Sequence, residues 1–232
     1  MTITANKIAS DIENMATSGS LPVDFRIERS QILYWIDQMR AKLIAQDLIK
    51  RKDLSNIWIQ SITCIDLIEV DKSECCEVTT NCKILRTELQ LPATIESNNE
   101  NTIIRVTKNN GDLIPKINIF ASKYKDFSKY SNKKVVYYEK NRYIYVIIDK
   151  DEEVLIEQIN VDGIFDSPSE LARYTSCNGN TCYSTSNNYP CSFEMANNIT
   201  DMVYKLKVIP FLQSPQDTTN NANNNFDTQP AK

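Results

Sequence analysis

The pattern of apolar residues divides the chain into helical and β regions. Apolar side chains recur at helical spacing over residues 3–16, and a second, longer stripe follows over residues 25–51. The members of the longer stripe fall on one helix face: Ile32, Trp35, Ile36, Met39 and Leu43. The sequence therefore predicts a short first helix that ends near Gly19 and a long amphipathic second helix with Asp24 as its N-cap.

The pattern changes to short β-branched and aromatic runs over residues 57–161, which predicts a central antiparallel β region. Residues 102–106 alternate apolar and polar side chains, and Asn110-Gly111 is a dipeptide typical of a type I′ turn. Further strands are predicted at residues 135–138, 143–148 and 154–161, the first two as a hairpin around Asn141.

The last part of the chain returns to helical spacing. Ser167, Pro168 and Glu170 combine a capping box with proline at the first helical position, which predicts a short helix from Ser167. Residues 175–191 are polar without an apolar period, and we expect an exposed loop there. The next apolar stripe predicts a helix over residues 194–212 that Pro210 ends or kinks: Ile199, Met202, Val203, Leu206 and Ile209.

These elements predict an α+β fold in which residues 1–212 form one body and residues 213–232 form an extended C-terminal arm. The arm is rich in asparagine and offers little to bury, so it should order only against a partner. Phe226 is its one large apolar side chain after Leu212 and is the expected anchor.

Composition argues against an enzyme. The 232 residues include no histidine, which is the commonest general base and metal ligand. The four glycines are too far apart to form a phosphate-binding loop. The 30 aspartates and glutamates would allow carboxylate catalysis, but no pair is marked out by the sequence. We therefore expect no catalytic residues and no cofactor.

The seven cysteines form two groups, residues 64–82 and residues 177–191. The odd number argues against a complete disulfide framework, and the first twenty residues lack the pattern of a secretion signal. Only Cys177 and Cys182 approach the spacing of a zinc site, with no histidine to complete it. The sequence thus predicts seven free thiols and no bound metal in a soluble protein made in a cytoplasm.

Charge is distributed unevenly, although the net charge is only −4. Residues 116–145 hold eight cations against Asp126 and Glu139 and also contain six tyrosines, whereas residues 149–170 hold eight acidic side chains against Lys150. The candidate interface residues come from these two segments and from the arm: Lys123, Lys125, Lys129, Lys133, Lys134, Arg142, Glu152, Glu153 and Phe226.

Three interpretations of the charge pattern stay open. One basic and one acidic face suit head-to-tail contacts between copies, which close into rings. Basic residues interleaved with tyrosines over residues 116–145 also suit a nucleic-acid-binding protein. A third interpretation is a solvated hairpin beside a solvated acidic loop.

Several segments resemble the ring proteins of crAss-like phages, which have short tails and infect gut Bacteroidales. No segment is a catalytic signature, and the resemblance depends on their order and coverage. The segments are residues 31–44, 60–62, 69–76, 82–87, 163–168 and 212–217, together with the tyrosine-rich hairpin.

This resemblance implies a virion structural protein that forms part of the head-to-tail connector, in the neck or tail between portal and tail. It also implies a ring of twelve copies whose neighbours are the portal protein and other connector or tail proteins. Such a ring surrounds the DNA channel, so channel DNA is a further expected contact, and no membrane is involved.

Overall fold

The computed structural model describes residues 2–17, 27–51, 54–70, 83–97, 100–122, 135–148 and 155–212. The α-helices are α1 (Ala5–Thr17), α2 (Arg29–Arg51), α3 (Ile119–Ser122), α4 (Phe193–Val203) and α5 (Ile209–Leu212). The strands are β1 (Gln60–Glu69), β2 (Lys83–Thr87), β3 (Glu96–Ser97), β4 (Glu100–Asn101), β5 (Ile103–Lys108), β6 (Leu113–Ile114), β7 (Val135–Lys140), β8 (Tyr143–Ile148) and β9 (Gln158–Gly163). The predicted α+β class is confirmed.

Helices α1, α2 and α4 pack against one another. α1 buries one stripe of small and branched side chains, which includes Ile8, Ala9 and Ile12. In α2 the side chains of Ile32, Trp35, Ile36 and Met39 are buried and Leu43 is half-buried. The predicted helix stop at Gly19 and N-cap at Asp24 lie outside the described residues.

Seven strands form an antiparallel sheet in the order β6-β5-β9-β1-β2-β8-β7, and β3 and β4 form a separate two-stranded sheet. Its two outer strands meet, because the N–H of Tyr137 in β7 donates to the carbonyl of Pro115, 3.0 Å away. The N–H of Ile117 donates in turn to the carbonyl of Tyr137 at 2.8 Å. The sheet therefore closes through this single bridge, which covers the outer edge of β7 at Tyr137.

Hydrophobic side chains pack on both faces of β7 and β8. Ile144, Val146 and Ile148 belong to a core that also contains the helix side chains. The alternate residues Tyr145 and Ile147 join a second buried cluster with Val136 and Tyr138. Strands buried on both faces have continuous apolar runs, which explains the sequence of this hairpin.

The two hairpin turns differ in type. At Asn141 and Arg142 both residues have positive φ, 52° and 63°, which is the type I′ geometry that a two-residue hairpin favours. The prediction of a type I′ turn at Asn110-Gly111 is wrong. Only Gly111 of that pair has a positive φ (89°), and its N–H donates to the carbonyl of Lys108. The N–H of Lys108 donates to the carbonyl of Asp112 at 2.9 Å, and three residues lie between this pair. A type I turn followed by a left-handed glycine therefore connects β5 and β6.

The strand predicted at residues 154–161 is displaced along the chain, since β9 spans Gln158–Gly163. The short helix predicted from Ser167 is present as a 3-10 helix, Pro168–Arg173, but the capping box is not formed. The Ser167 hydroxyl instead donates to Asp37 in α2, at 2.6 Å. A long-range hydrogen bond thus replaces the local cap.

The C-terminal helical segment runs without a break from Phe193 to Leu212. The Ser192 side chain caps its start by accepting from the Met195 N–H at 3.2 Å. A π-helical stretch, Tyr204–Val208, lies just before Pro210. Proline lacks the N–H that an α-helix needs, and wider turns of this kind accommodate such a defect. Pro210 therefore neither ends the helix nor prevents its last turn.

The expectation of an exposed loop over residues 175–191 is wrong for its second half. Tyr183, Tyr189 and Cys191 are buried, and Tyr189 is completely inaccessible. The N–H of Tyr189 donates to the carbonyl of Ile3 at 2.7 Å, so this segment also holds the start of the chain. Burial raises the pKa of Cys191 to about 11.

The prediction of seven free thiols is wrong, because Cys64 and Cys177 form a disulfide with a Cα–Cα distance of 5.2 Å. The bridge joins β1 to the exposed loop after Tyr174 across 113 residues, a proximity that neither the odd number of cysteines nor a compartment argument can reveal. Cys182 and Cys191 are free. Cys75, Cys76 and Cys82 lie outside the described residues.

Loss of this disulfide should destabilise the oxidised protein. Cys177→Ser should lower the free energy of unfolding by about 2–4 kcal/mol, because the bridge constrains a long loop of the unfolded chain. Cys182→Ser is the matched control. Chemical denaturation compares the variants, and non-reducing peptide mass spectrometry should recover the linked pair. Equal stability of the two variants would contradict the assignment.

Candidate assembly surfaces

An open groove of about 840 Å³ runs beside α2. One wall is an exposed face of α2 that presents Tyr34, Gln38 and Lys42, four residues apart along the helix. The small side chains of Ala41 and Ala45 leave room between this wall and the other side. Tyr34 is 60% exposed, and its hydroxyl accepts a hydrogen bond from the Gln38 amide at 2.8 Å.

Backbone hydrogen bonds fix the opposite wall of the groove, residues 93–96. The N–H of Ile95 donates to the carbonyl of Ile164 at 3.1 Å, and the N–H of Asp166 donates to the carbonyl of Ala93 at 2.8 Å. The wall is therefore paired with the chain that follows β9. Because these hydrogen bonds hold the backbone of residues 93–96, the groove has its shape before any partner binds.

Three carboxylates cluster at one end of the groove: Glu96, Asp166 and Glu170. Burial raises the pKa of Asp166 from its usual value, and the charges of Glu170 and Glu96 raise it further, while Arg40 lowers it. Within the described ranges, none of the three carboxylates makes an ion pair. Asp166 and Glu170 of this acidic end belong to the predicted acidic segment, and Glu96 comes from β3.

Asp37 lies at the base of the groove, and its carboxylate is saturated. It accepts hydrogen bonds from the hydroxyls of Ser167, Ser169 and Tyr189, at 2.6, 2.8 and 2.8 Å. Burial is also the main reason that the pKa of Tyr189 is raised well above its usual value. Asp37 is thus a structural group that joins α2 to two later segments of the chain.

Arg40, one helical turn after Asp37, is fully buried. Its guanidinium donates to the carbonyls of Pro190, Phe165 and Trp58, at 2.9, 2.8 and 3.2 Å. Burial lowers the pKa of Arg40, and the nearby Tyr189 and Asp37 partly oppose this shift. The side chain therefore fastens α2 to three separate parts of the fold.

Of the predicted interface residues, only Arg142 is described. It is exposed at the tip of the β7–β8 hairpin and lines the groove. The N–H of Leu91 donates to its carbonyl at 2.7 Å, and its guanidinium donates to Gln90 at 3.3 Å. The others lie outside the described residues: Lys123, Lys125, Lys129, Lys133, Lys134, Glu152, Glu153 and Phe226.

The described tyrosines of the basic segment are poorly placed for base stacking. Tyr137, Tyr138 and Tyr145 are buried, and the rings of the last two stack on each other with centroids 5.0 Å apart. The half-buried Tyr143 lies under the guanidinium of Arg86, at 4.6 Å. Lys116 pairs with Glu139 at 2.8 Å. For the described part of the basic segment, these contacts count against the nucleic-acid interpretation, which needs exposed rings and free cations.

The C-terminal helical segment ends on an exposed apolar surface. Leu206, Phe211 and Leu212 are each about half exposed, with accessible fractions of 53%, 49% and 44%. The Phe211 ring meets the edge of Trp35 in α2, with centroids 6.3 Å apart. The last turn of this helical segment therefore lies beside α2.

Sequence reasoning missed the buried polar pair and the acidic end of the groove. Asp37 and Arg40 stand inside the apolar stripe of α2, three residues apart, and that position was the available signal. Asp166 and Glu170 were noted only as members of an acidic segment. Among the described residues, no group of three or more Cys, Asp or Glu side chains could hold a metal ion.

Residues 7–227 match the family model described as phage tail ring protein 2. No curated protein matches the chain. In the parts of the chain that the structure describes, no helix has the length and apolar character required to span a membrane.

Proposed function

Because the chain belongs to the phage tail ring protein 2 family, and so to the ring proteins of crAss-like phages, we propose that it is one subunit of a closed ring in the head-to-tail connector. The ring lies between portal and tail, contains twelve copies and surrounds the DNA channel. The observation that carries this proposal is the extent of the family match, residues 7–227. A structural phage family also favours a non-enzymatic role without a cofactor.

The fold supports a repeated, rigid building block. The closed sheet and the packed helices share one buried core, and the buried Arg40 fastens α2 to the carbonyls of Trp58, Phe165 and Pro190. A ring needs two different surfaces on each subunit that fit each other when the subunit is repeated by rotation. Residues 1–212 supply this body, and residues 213–232 supply an arm toward a neighbour.

The predicted interface residues receive their roles from this arrangement. The cations of the basic segment, which include Lys133, Lys134 and Arg142, face the acidic surface of a neighbouring subunit or the channel DNA. Glu152 and Glu153 belong to the acidic side of such a contact. Phe226 anchors the arm in a pocket of a neighbouring subunit or ring.

Native mass measurement with and without DNA tests the proposed function against its rival. A ring subunit should form oligomers, or a monomer whose mass does not change on addition of DNA. The rival, a phage nucleic-acid-binding protein that uses residues 116–145, should be a monomer or dimer that gains mass with DNA. A DNA-dependent shift without ring-sized oligomers would overturn the ring assignment.

A further inference from the structure

The three carboxylates of the groove make no ion pair within the described ranges, and the chain contains a segment of opposite charge. Residues 123–134 carry five lysines and one aspartate, together with the aromatic side chains of Tyr124, Phe127 and Tyr130. The groove combines the carboxylates of Glu96, Asp166 and Glu170 with the small apolar side chains of Ala41 and Ala45. The charges of the groove and of this segment are therefore complementary.

The groove and the start of β7 lie at opposite ends of the β7–β8 hairpin. Arg142 at the hairpin tip lines the groove, whereas β7 begins at Val135, the residue that follows the segment in the sequence. Six residues of extended strand span about 20 Å. Val135, the first described residue after the segment, therefore lies about 20 Å from the end of the hairpin that lines the groove.

We propose that residues 123–134 of one subunit bind in the groove beside α2 of the next subunit. The lysines pair with the carboxylates of Glu96, Asp166 and Glu170, and an aromatic side chain packs between the walls above Ala41 and Ala45. This inference rests on the proposed ring, for which it names the contact between neighbouring copies.

Such a contact joins two different surfaces of the subunit. Contacts of this head-to-tail kind continue from copy to copy and close when the rotation between copies fits a whole number of subunits. The cations that line the groove do not prevent it, because Arg142 already donates to Gln90 and three carboxylates stand against Lys42 and Arg142. The segment also brings one carboxylate, Asp126, for these cations.

Charge reversal in full-length protein tests the contact. One variant reverses the groove, Asp166→Lys with Glu170→Lys, and the other reverses the segment, Lys133→Glu with Lys134→Glu. The readout is the number of copies per purified particle, by mass spectrometry, in cells that supply only the variant. Each variant alone should reduce incorporation by about tenfold or more, because like charges then face each other at every contact.

Supplying the two variants together separates contact between copies from contact within one copy. In an alternating ring, every wild-type segment meets a wild-type groove and every reversed segment meets a reversed groove. Incorporation should therefore recover to within about threefold of the wild-type level. A threefold difference corresponds to less than about 1.4 kcal/mol, the energy of a tenfold change. Recovery also demonstrates that both variants fold.

Three results would contradict the inference. Incorporation of either variant at the wild-type level would exclude the groove while leaving the ring intact. Failure of the mixture to recover, when a single chain with all four changes does recover, would place the contact within one subunit. Failure of both the mixture and the chain with four changes to recover would assign the two surfaces to unrelated contacts.

Asp11→Lys with Asp201→Lys is the matched control, since these exposed residues do not line the groove. Absence of the wild-type chain from rings would instead overturn the proposed function.

Discussion

Arg40→Met should destabilise the subunit by about 3–5 kcal/mol, the usual cost of removing one partner from a buried charged network. Methionine fills much of the arginine volume but donates no hydrogen bond. The carbonyls of Trp58, Phe165 and Pro190 would each lose the donor that they now have. Asp37 would keep its three hydroxyl partners but lose the nearby positive charge.

Urea denaturation of the purified subunit measures this effect. The expected loss is a large part of the roughly 5–15 kcal/mol that stabilises most domains. Arg29→Met is the matched control, because Arg29 is 43% exposed and its ion pair with Glu13, at 2.8 Å, lies near the surface. The control should change stability by less than about 1 kcal/mol. Equal effects of the two substitutions would mean that Arg40 does not hold the elements together.

Removal of the chain from Thr218 onward should leave a folded subunit that is poorly incorporated into particles. The arm is so polar that ordering it costs about 1–2 kcal/mol of backbone entropy per residue, which only contacts with a partner can offset. Phe226 is the expected centre of these contacts. Phe226→Ala should therefore reproduce most of the loss, about 30-fold if the residue contributes the 2 kcal/mol of an interface hot spot.

Phe120→Ala is the control for the arm, since Phe120 is an aromatic residue of the body that is 67% exposed. Copies per particle and the thermal unfolding of the free subunit should be measured together. Truncated protein that enters particles at the wild-type level would exclude a role in assembly. Protection of the arm from proteolysis in the free monomer would also contradict the account, because the arm would then dock on its own subunit.

Local patterns carry much of the fold. The α+β class and the hairpin around Asn141 follow from periodicity and turn residues, which act over a few positions. The closure of the sheet could not be predicted, because it depends on hydrogen bonds between residues 115–117 and Tyr137, which is distant in sequence. The pairing of Cys64 with Cys177 is hidden for the same reason.

The candidate site was less predictable than the fold. A helical stripe indicates which face is buried, but it does not reveal that Asp37 and Arg40 find polar partners there. Ser167 shows that a long-range contact can replace a local one, because its hydroxyl donates to Asp37 rather than capping its own helix. In the sequence alone, the tyrosines of the hairpin suit a nucleic-acid-binding surface. The unbroken apolar run in Ile144–Ile148 is the signal that this strand is buried on both faces instead.

Electron cryomicroscopy of intact virions tests the central claim most directly. The account predicts that this chain fits density for a closed ring of twelve copies between portal and tail, around the DNA channel. In that ring, residues 123–134 of each copy should lie in the groove beside α2 of the next copy. Particles in which the chain is absent, or bound to the packaged genome without forming a ring, would contradict it.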